Sequence, residues 1–363
     1  MMDQRPLYKL KEGSIDPQQQ DGKHNGHAGL YFDKFCNMWS INEGRWTIEG
    51  NSKLDWINKF TKQIGIKQDL KESAERLMRL VRKRCGRAEI FKSEYRFVTG
   101  LGRSHPVENG FTWHPILGTP YLPGSSIKGL VRSWAKEELG SGSDEILNCL
   151  LGSSKKTGTI CFLDAIPTKP VVLKADVMTP HYTGWGEKNP PGDWHSPTPI
   201  PFLVMAEKTS LLFGIIPRST ANDGDLDRVA KWLREALAQS GGGAKTAVGY
   251  GRFSHDEKET SEQHNRLDEE QRRAEAQKSP EGRWRLKLKG KSEAEILECI
   301  RIHLEKKPLT DKIERSSFVS VLRSDYTEWI DKWRSGKAYE PQTNLGKKKL
   351  KERAKLLDNE RNF

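Results

Sequence analysis

Five glycines and one lysine fall within eleven residues, Gly241-Gly242-Gly243-Ala244-Lys245-Thr246-Ala247-Val248-Gly249-Tyr250-Gly251. Glycine carries no Cβ, so main-chain amides there can turn outward and approach an anion closely. Lys245 adds a mobile positive charge, and the Thr246 hydroxyl a further donor. A second group lies upstream, Pro123-Gly124-Ser125-Ser126-Ile127-Lys128-Gly129-Leu130-Val131-Arg132. Turn residues followed by serines open a helix, whose first amides carry partial positive charge. Ser125 and Ser126 supply hydroxyls, and Lys128 and Arg132, four apart, share one side of that helix. The chemistry this suits is the non-covalent holding of phosphate. Each group also has a plainer reading: a glycine helix cap with a tight turn for the first, a capped helix with two solvated cations for the second.

Enzymatic readings are weaker. A nucleotide-binding P-loop runs strand, loop, helix, with Gly directly before the Lys. Here the order is helix, loop, strand, and Ala244 precedes Lys245, so no nucleotide cofactor is expected. Ser125-Ser126-Ile127-Lys128 matches the S-x-x-K acylation motif, and Lys245-Thr246-Ala247 nearly matches K-T-G, but no S-D-N triplet accompanies them. His105, His114, His181 and His195 are general-base candidates by type, and Asp164, Asp176 and Asp193 are the acidic ones. None has an obvious partner in sequence. Asp193 and His195 are only a weak hint of a metal site, and no metal is expected. The five cysteines, Cys36, Cys85, Cys149, Cys161 and Cys299, never form a C-x-x-C pair. They read as reduced thiols. No apolar run reaches the ~18 residues of a membrane helix, so the expectation is a soluble, cytoplasmic protein with no membrane partner.

The elements that must hold these residues are legible from periodicity. Leu70, Ala74, Leu77, Met78 and Val81 put one apolar face on a helix over 67–84, and a further helix is expected over 54–64. Residues 90–98 alternate as a strand. A helix follows from Pro123, then two strands, 159–165 and 171–177, read as a hairpin. Next come a Pro/Gly/Trp-rich excursion over 179–201, a long strand over 202–216, a helix over 225–239 and a strand over 247–253. The order β-α-β-β-loop-β-α-β is the split β-α-β, ferredoxin-like (RRM-like) arrangement with an added strand. It predicts an antiparallel sheet with helices on one face and the other free to bind. The expected α+β organisation is a partly helical N-terminal extension (1–85), the core (86–254), and a charged linker with a mainly helical extension (255–363). Residues 1–28 look poorly ordered by composition. The aromatics of 179–201, Tyr182, Trp185 and Trp194 among them, read as core or subunit contacts ahead of base-stacking platforms.

The net charge is +12 at pH 7. Thirty-five basic residues oppose 27 acidic ones before position 255, and 26 oppose 22 after it. The cationic bias therefore belongs mainly to the part with the glycine loop, and an acidic partner is implied.

Pro120-Tyr121-Leu122-Pro123-Gly124-Ser125-Ser126-Ile127-Lys128-Gly129-Leu130-Val131-Arg132 resembles the signature of the RAMP superfamily, the repeat-associated RNA-binding proteins of CRISPR systems. The Gly241–Gly251 loop resembles that superfamily's glycine-rich loop. Gly100-Leu101-Gly102 with Glu108-Asn109-Gly110, Asp176-Val177-Met178-Thr179-Pro180-His181-Tyr182, and Pro191-Gly192-Asp193-Trp194 with Pro197-Thr198-Pro199-Ile200 are similar to a subunit of the type III-B effector, the Cmr complex. The resemblance covers roughly residues 85–254. It implies a non-catalytic subunit at the head of a filament of related RAMP proteins. Such a subunit touches the 3′ part of the guide RNA within a target-RNA-binding complex. Carried onto this chain, the RNA contacts are Ser125, Ser126, Lys128, Arg132, Gly241, Gly242, Gly243, Lys245, Thr246, Gly249 and Gly251. The alternatives are an endoribonuclease of the same superfamily and a protein-interaction adaptor.

Overall fold

The computed structural model describes residues 27–140, 142–180, 197–340 and 345–359. The first segment runs α1 (Ala28–Lys34), β1 (Ser40–Asn42), β2 (Arg45–Thr47), α2 (Gly50–Asn58), β3 (Gln63–Ile64) and α3 (Lys67–Lys83). Then come β4 (Arg87–Ser93), the short hairpin β5 (Ser104–His105) and β6 (Glu108–Asn109), α4 (Gly124–Leu139) and α5 (Asp144–Leu151). They are followed by β7 (Ile160–Phe162), β8 (Ile166–Pro167), β9 (Val171–Met178), β10 (Ile200–Met205), β11 (Ser210–Pro217), α6 (Asp225–Gln239) and β12 (Phe253–His255). The last stretch is helical: α7 (Glu257–Ala276), α8 (Pro280–Leu288), α9 (Glu293–Ile300), a π-helical turn (Arg301–Lys306), α10 (Lys312–Asp325), α11 (Thr327–Ser335) and α12 (Lys347–Asn359). The chain forms two units, residues 1–262 and 263–363. Among the described residues no helix is long and apolar enough to cross a membrane.

The central sheet of the first unit has the order β12-β4-β11-β7, with β8 also on β11, and every pair is antiparallel. That is the ferredoxin-like order of a split β-α-β fold. Its two faces are both covered, which corrects the expectation of one free face. Leu211, Phe213 and Ile215 point to the core beneath α4 and α6. The intervening side turns to α3, where a Cβ at Gly214 would lie 3.1 Å from Val81. Leu70, Ala74, Met78 and Val81 of α3 are buried. Each larger apolar side chain removed from water there stabilises the fold by about 1.5–3 kcal/mol, so an amphipathic α3 claims the face.

Three strand expectations are revised. The 159–165 and 171–177 segments do not pair with each other: β7 and β8 lie on β11, whereas β9 pairs along its length with β10 and at its start with β3. Backbone bonds between Leu122 and Ala165 (3.0 and 2.8 Å) turn the chain between β7 and β8. The stretch 202–216 is two strands in two sheets. Glu207-Lys208-Thr209 interrupts the apolar run, Lys208 is left-handed (φ 62°), and Thr209 Oγ1 donates to the Ala206 carbonyl at 2.7 Å. The strand over 247–253 shrinks to β12, because Gly249 and Gly251 are left-handed (φ 92° and 69°) and Thr246–Val248 is a 3-10 turn.

The charged linker is α7. Asp256 Oδ1 accepts from Glu259 N at 2.9 Å as its cap, and i,i+4 pairs such as Gln271 with Glu275 (2.8 Å) run along it. The second unit has its own core, with Trp284, Phe318, Trp333 and Leu350 buried. Glu293 is fully buried there, and its carboxylate accepts from Trp333 Nε1 (2.5 Å), Tyr339 N (2.7 Å) and Glu340 N (2.7 Å). Residues 1–26 and the loop residues 181–196, with His181, Tyr182, Trp185, Asp193, Trp194 and His195, lie outside the described residues.

Candidate nucleic-acid interface

The glycine loop leaves α6 by a left-handed Gly241 (φ 79°) whose amide returns to the Ala236 carbonyl at 2.9 Å. This is a glycine cap. The loop then folds onto itself and onto the strand end beyond β4. Gly242 N donates to Gly251 O (2.7 Å), Ala244 N to Val98 O (2.8 Å) and Gly251 N to Arg96 O (2.8 Å). A Cβ at Gly251 would lie 1.8 Å from Gly242 O, and one at Gly243 2.3 Å from Val98 O. The glycines are therefore needed for close backbone packing. Most of their amides are spent inside the protein, contrary to the expectation that they turn outward. Gly241, Gly242 and Gly251 are buried, while Gly243, Ala247 and Val248 are exposed and Lys245, Thr246 and Gly249 half-buried.

Lys245 is the one non-glycine of this loop in the left-handed region (φ 59°), a conformation that costs a non-glycine residue about 1 kcal/mol. Its carbonyl accepts from Val248 N at 3.2 Å, and its Nζ sits 5.4 Å from the centre of the Phe202 ring of β10. The ammonium is thus aimed along the edge of β10, with an aromatic face beneath it.

The loop rests on α4: a Cβ at Gly242 would lie 2.9 Å from Leu122 and 3.8 Å from Leu130. Ser126, four residues before Leu130, shares that side and is exposed. Ser125, Lys128 and Arg132 follow a stripe on the other side of the helix. Gly124, at the helix start, packs so closely on β7 that a Cβ would lie 2.4 Å from Phe162 O. Its amide donates to Asp164 Oδ1 at 2.7 Å, so a protein carboxylate already caps this end. Arg132 is half-buried, and its guanidinium donates to the carbonyls of Gly152 and Leu147 (3.4 Å) and to Asn148 Oδ1 (3.4 Å). It closes the C-terminal end of α5. The eleven sequence-derived contacts thus fall into two groups: the glycine loop with Ser126, and Ser125, Lys128 and Arg132 facing α5.

Beside the loop stand residues that spacing did not single out as a set. Arg96 and the Tyr250 hydroxyl both donate to Asp176 Oδ2, and Val177 N to Asp176 Oδ1 at 2.8 Å. Burial works against the Asp176 charge, but these donors hold its carboxyl below the ordinary value. Burial and the neighbouring carboxylate push Tyr250 up to about 12. Tyr95, 44% exposed, meets Tyr250 edge-on at 5.4 Å and lies 5.7 Å from the Arg96 guanidinium carbon. The cluster ties β9 to the glycine loop, engages Arg96 on Asp176 and leaves the Tyr95 ring exposed, a surface on which an unpaired base can stack. Their grouping was hidden from sequence reasoning because Tyr95-Arg96, Asp176 and Tyr250 are far apart in the chain.

The general-base candidates within the described residues have other employment. His105 stacks on Phe32 (4.2 Å), its Nε2 lies 3.0 Å from Phe32 O, and burial lowers its pKa to about 4. His114 Nδ1 accepts from Ile116 N (3.3 Å) and Leu117 N (3.1 Å), and burial lowers its pKa too. Among the described residues no three His, Cys, Asp or Glu side chains gather as metal ligands.

Residues 90–254 match the RAMP superfamily. Two curated relatives align with the chain. The CRISPR system Cmr subunit Cmr6 of Pyrococcus furiosus is 31% identical, with 45% of this chain and 66% of the relative covered. The CRISPR system CMR subunit Cmr6 of Saccharolobus solfataricus is 32% identical over 40% of this chain and 48% of the relative. The chain thus spans just under two thirds of the first relative's length and about half of the second's. Among solved structures, one chain of the cryo-EM structure of the type III-B Cmr-beta bound to cognate target RNA aligns at 23% identity with a TM-score of 0.48. That alignment covers 56% of this chain and 71% of that one. The crystal structure of Cmr6 from Pyrococcus furiosus aligns at 25% identity with a TM-score of 0.31, over 47% and 97% of the two chains.

Proposed function

From the match of residues 90–254 to the RAMP superfamily we propose that the chain is an RNA-binding subunit of a type III-B CRISPR effector complex, without catalytic activity of its own. It contacts the 3′ part of the guide RNA, caps the filament of related subunits and meets target RNA within the complex. The observation that carries this reading is the seating of Gly242 on Leu122 and Leu130. That seating brings the loop that carries Lys245 and Thr246 against the helix that carries Ser126. Hydroxyls and an ammonium hold phosphate oxygens without reading bases. A guide of variable sequence needs that kind of grip, with specificity left to base pairing. Among the described residues, the stacking of His105 on Phe32 and the turn held by His114 favour a binding role over a nuclease.

The experiment is RNA retention by gel shift at low and moderate salt, for wild type and Lys245→Glu. Loss of one phosphate contact weakens retention and flattens the salt dependence by about 0.7 in log–log slope for a single strand. Equal retention by both proteins would remove Lys245 from the interface. Site-specific cutting of RNA by the purified chain would overturn the non-catalytic assignment.

A further inference from the structure

The side of α4 that faces away from the glycine loop carries an arrangement of charge that the loop does not use. Beyond α5 the chain closes a seven-residue loop, Gly152-Ser153-Ser154-Lys155-Lys156-Thr157-Gly158, whose two ends touch. A Cβ at Gly152 would lie 2.6 Å from Gly158 N, and one at Gly158 2.5 Å from Gly152 N. Gly152 is left-handed (φ 83°), as only glycine readily permits. Inside the loop, Ser153 N donates to Lys156 O at 2.7 Å, and Ser153 Oγ accepts from Lys155 N (3.3 Å) and Lys156 N (3.2 Å). The backbone under the two lysines is therefore fixed.

Between this loop and α4 lies a cleft of about 320 Å³, lined by Lys128, Ser153, Ser154, Lys155, Lys156 and Thr157. It adjoins a hollow of about 170 Å³ to which Ser125, Lys128 and Arg218 contribute. No Asp or Glu lines either space. Among the described residues none of Lys128, Lys155, Lys156 and Arg218 enters an ion pair. In another cleft, by contrast, Lys169 and Lys174 are compensated by Glu259 and Glu207. The carbonyls ending α5 would bring partial negative charge to the same place, but Arg132 takes them up. What remains is positive charge and hydroxyl donors converging on open space.

We propose that this cleft is a second phosphate-binding site, one that grips the backbone of an RNA strand on the opposite side of α4 from the glycine loop. The proposal rests on the RNA-binding reading above. An extended strand held at Lys245 crosses α4, about 10 Å thick, within a few nucleotides and meets Lys128 and the loop. Because the loop is already ordered, little further conformational freedom is lost on binding.

The test uses the full chain and a single-stranded RNA oligonucleotide of mixed sequence, with affinity measured by fluorescence anisotropy across a range of salt. Lys155→Glu/Lys156→Glu is compared with Lys155→Gln/Lys156→Gln and with Lys245→Glu. All four lysine-to-glutamate and lysine-to-glutamine changes at 155 and 156 are at exposed positions, so thermal midpoints stay near wild type. The charge-reversed pair is expected to bind RNA several-fold more weakly, with a salt slope flatter by about 1–1.5, and the neutral pair to fall between. Wild-type affinity and slope in both pairs, with Lys245→Glu weakened, would overturn the second site and leave the RNA-binding reading intact. No change in any variant would overturn both. Unchanged RNA binding with lost association to an acidic protein subunit would reassign the cleft to protein docking and likewise end the proposal.

Discussion

His105 and His114 show how little residue type says about chemistry. Both were general-base candidates, yet one lies flat on Phe32 and the other caps a turn through its Nδ1. Neither partnership is visible in sequence, because Phe32 is 73 positions from His105. The burial of His105 has a consequence in pH. Its folded pKa falls from 6.5 to about 4, so between these values the unfolded chain binds a proton that the folded one refuses. The stability it lends is fully present above the higher value and is lost as pH falls toward the lower one. Denaturant titrations at about pH 7 and about pH 4.5 should show wild type losing about 2 kcal/mol more than His105→Gln over that interval. Equal losses would mean that His105 titrates normally. Lys245 was legible as the cation of its loop. Its left-handed backbone and its place over Phe202 were not, since both depend on the return of Val248 and on β10.

At the scale of elements, periodicity found α3, α4 and α6, whose apolar faces repeat every three or four residues. It failed where an element lacks such a face. α7 is held by its cap and by charged and amide pairs, so its sequence looks like a linker. It failed again where two strands abut, because β10 and β11 form one apolar run broken only by Glu207-Lys208-Thr209. The glycine loop was found for its composition, but its glycines serve packing. That difference is measurable. Gly243 and Gly249 share a left-handed φ of 91° and 92°, but a Cβ at Gly243 would strike Val98 O at 2.3 Å, while at Gly249 nothing lies within 4 Å. Gly249→Ala should cost about 1 kcal/mol in conformational strain alone. Gly243→Ala adds the displacement of the loop and should cost about 2–3 kcal/mol. Thermal midpoints of the two variants compare them directly, and equal values would contradict this assignment.

For the molecule as a whole, the ferredoxin-like class followed from the order of elements, whereas the pairing of 171–177 and the covering of the sheet's second face did not. α3 precedes the core in the chain and was assigned to an extension, so its burial against β11 could only be seen in three dimensions. The helical unit has a core of its own, from Trp284 to Leu357, with a buried carboxylate whose three donors come from the same unit. A fragment of residues 279–363 should therefore fold alone, with helical circular dichroism and a cooperative thermal transition. A gradual, non-cooperative melt would contradict that. The meeting of Gly152 with Gly158 has one more consequence. A loop whose neck is already shut keeps its two ends together whatever its interior does, so a peptide spliced between Ser154 and Lys155 displaces the two lysines while the scaffold on either side stays folded.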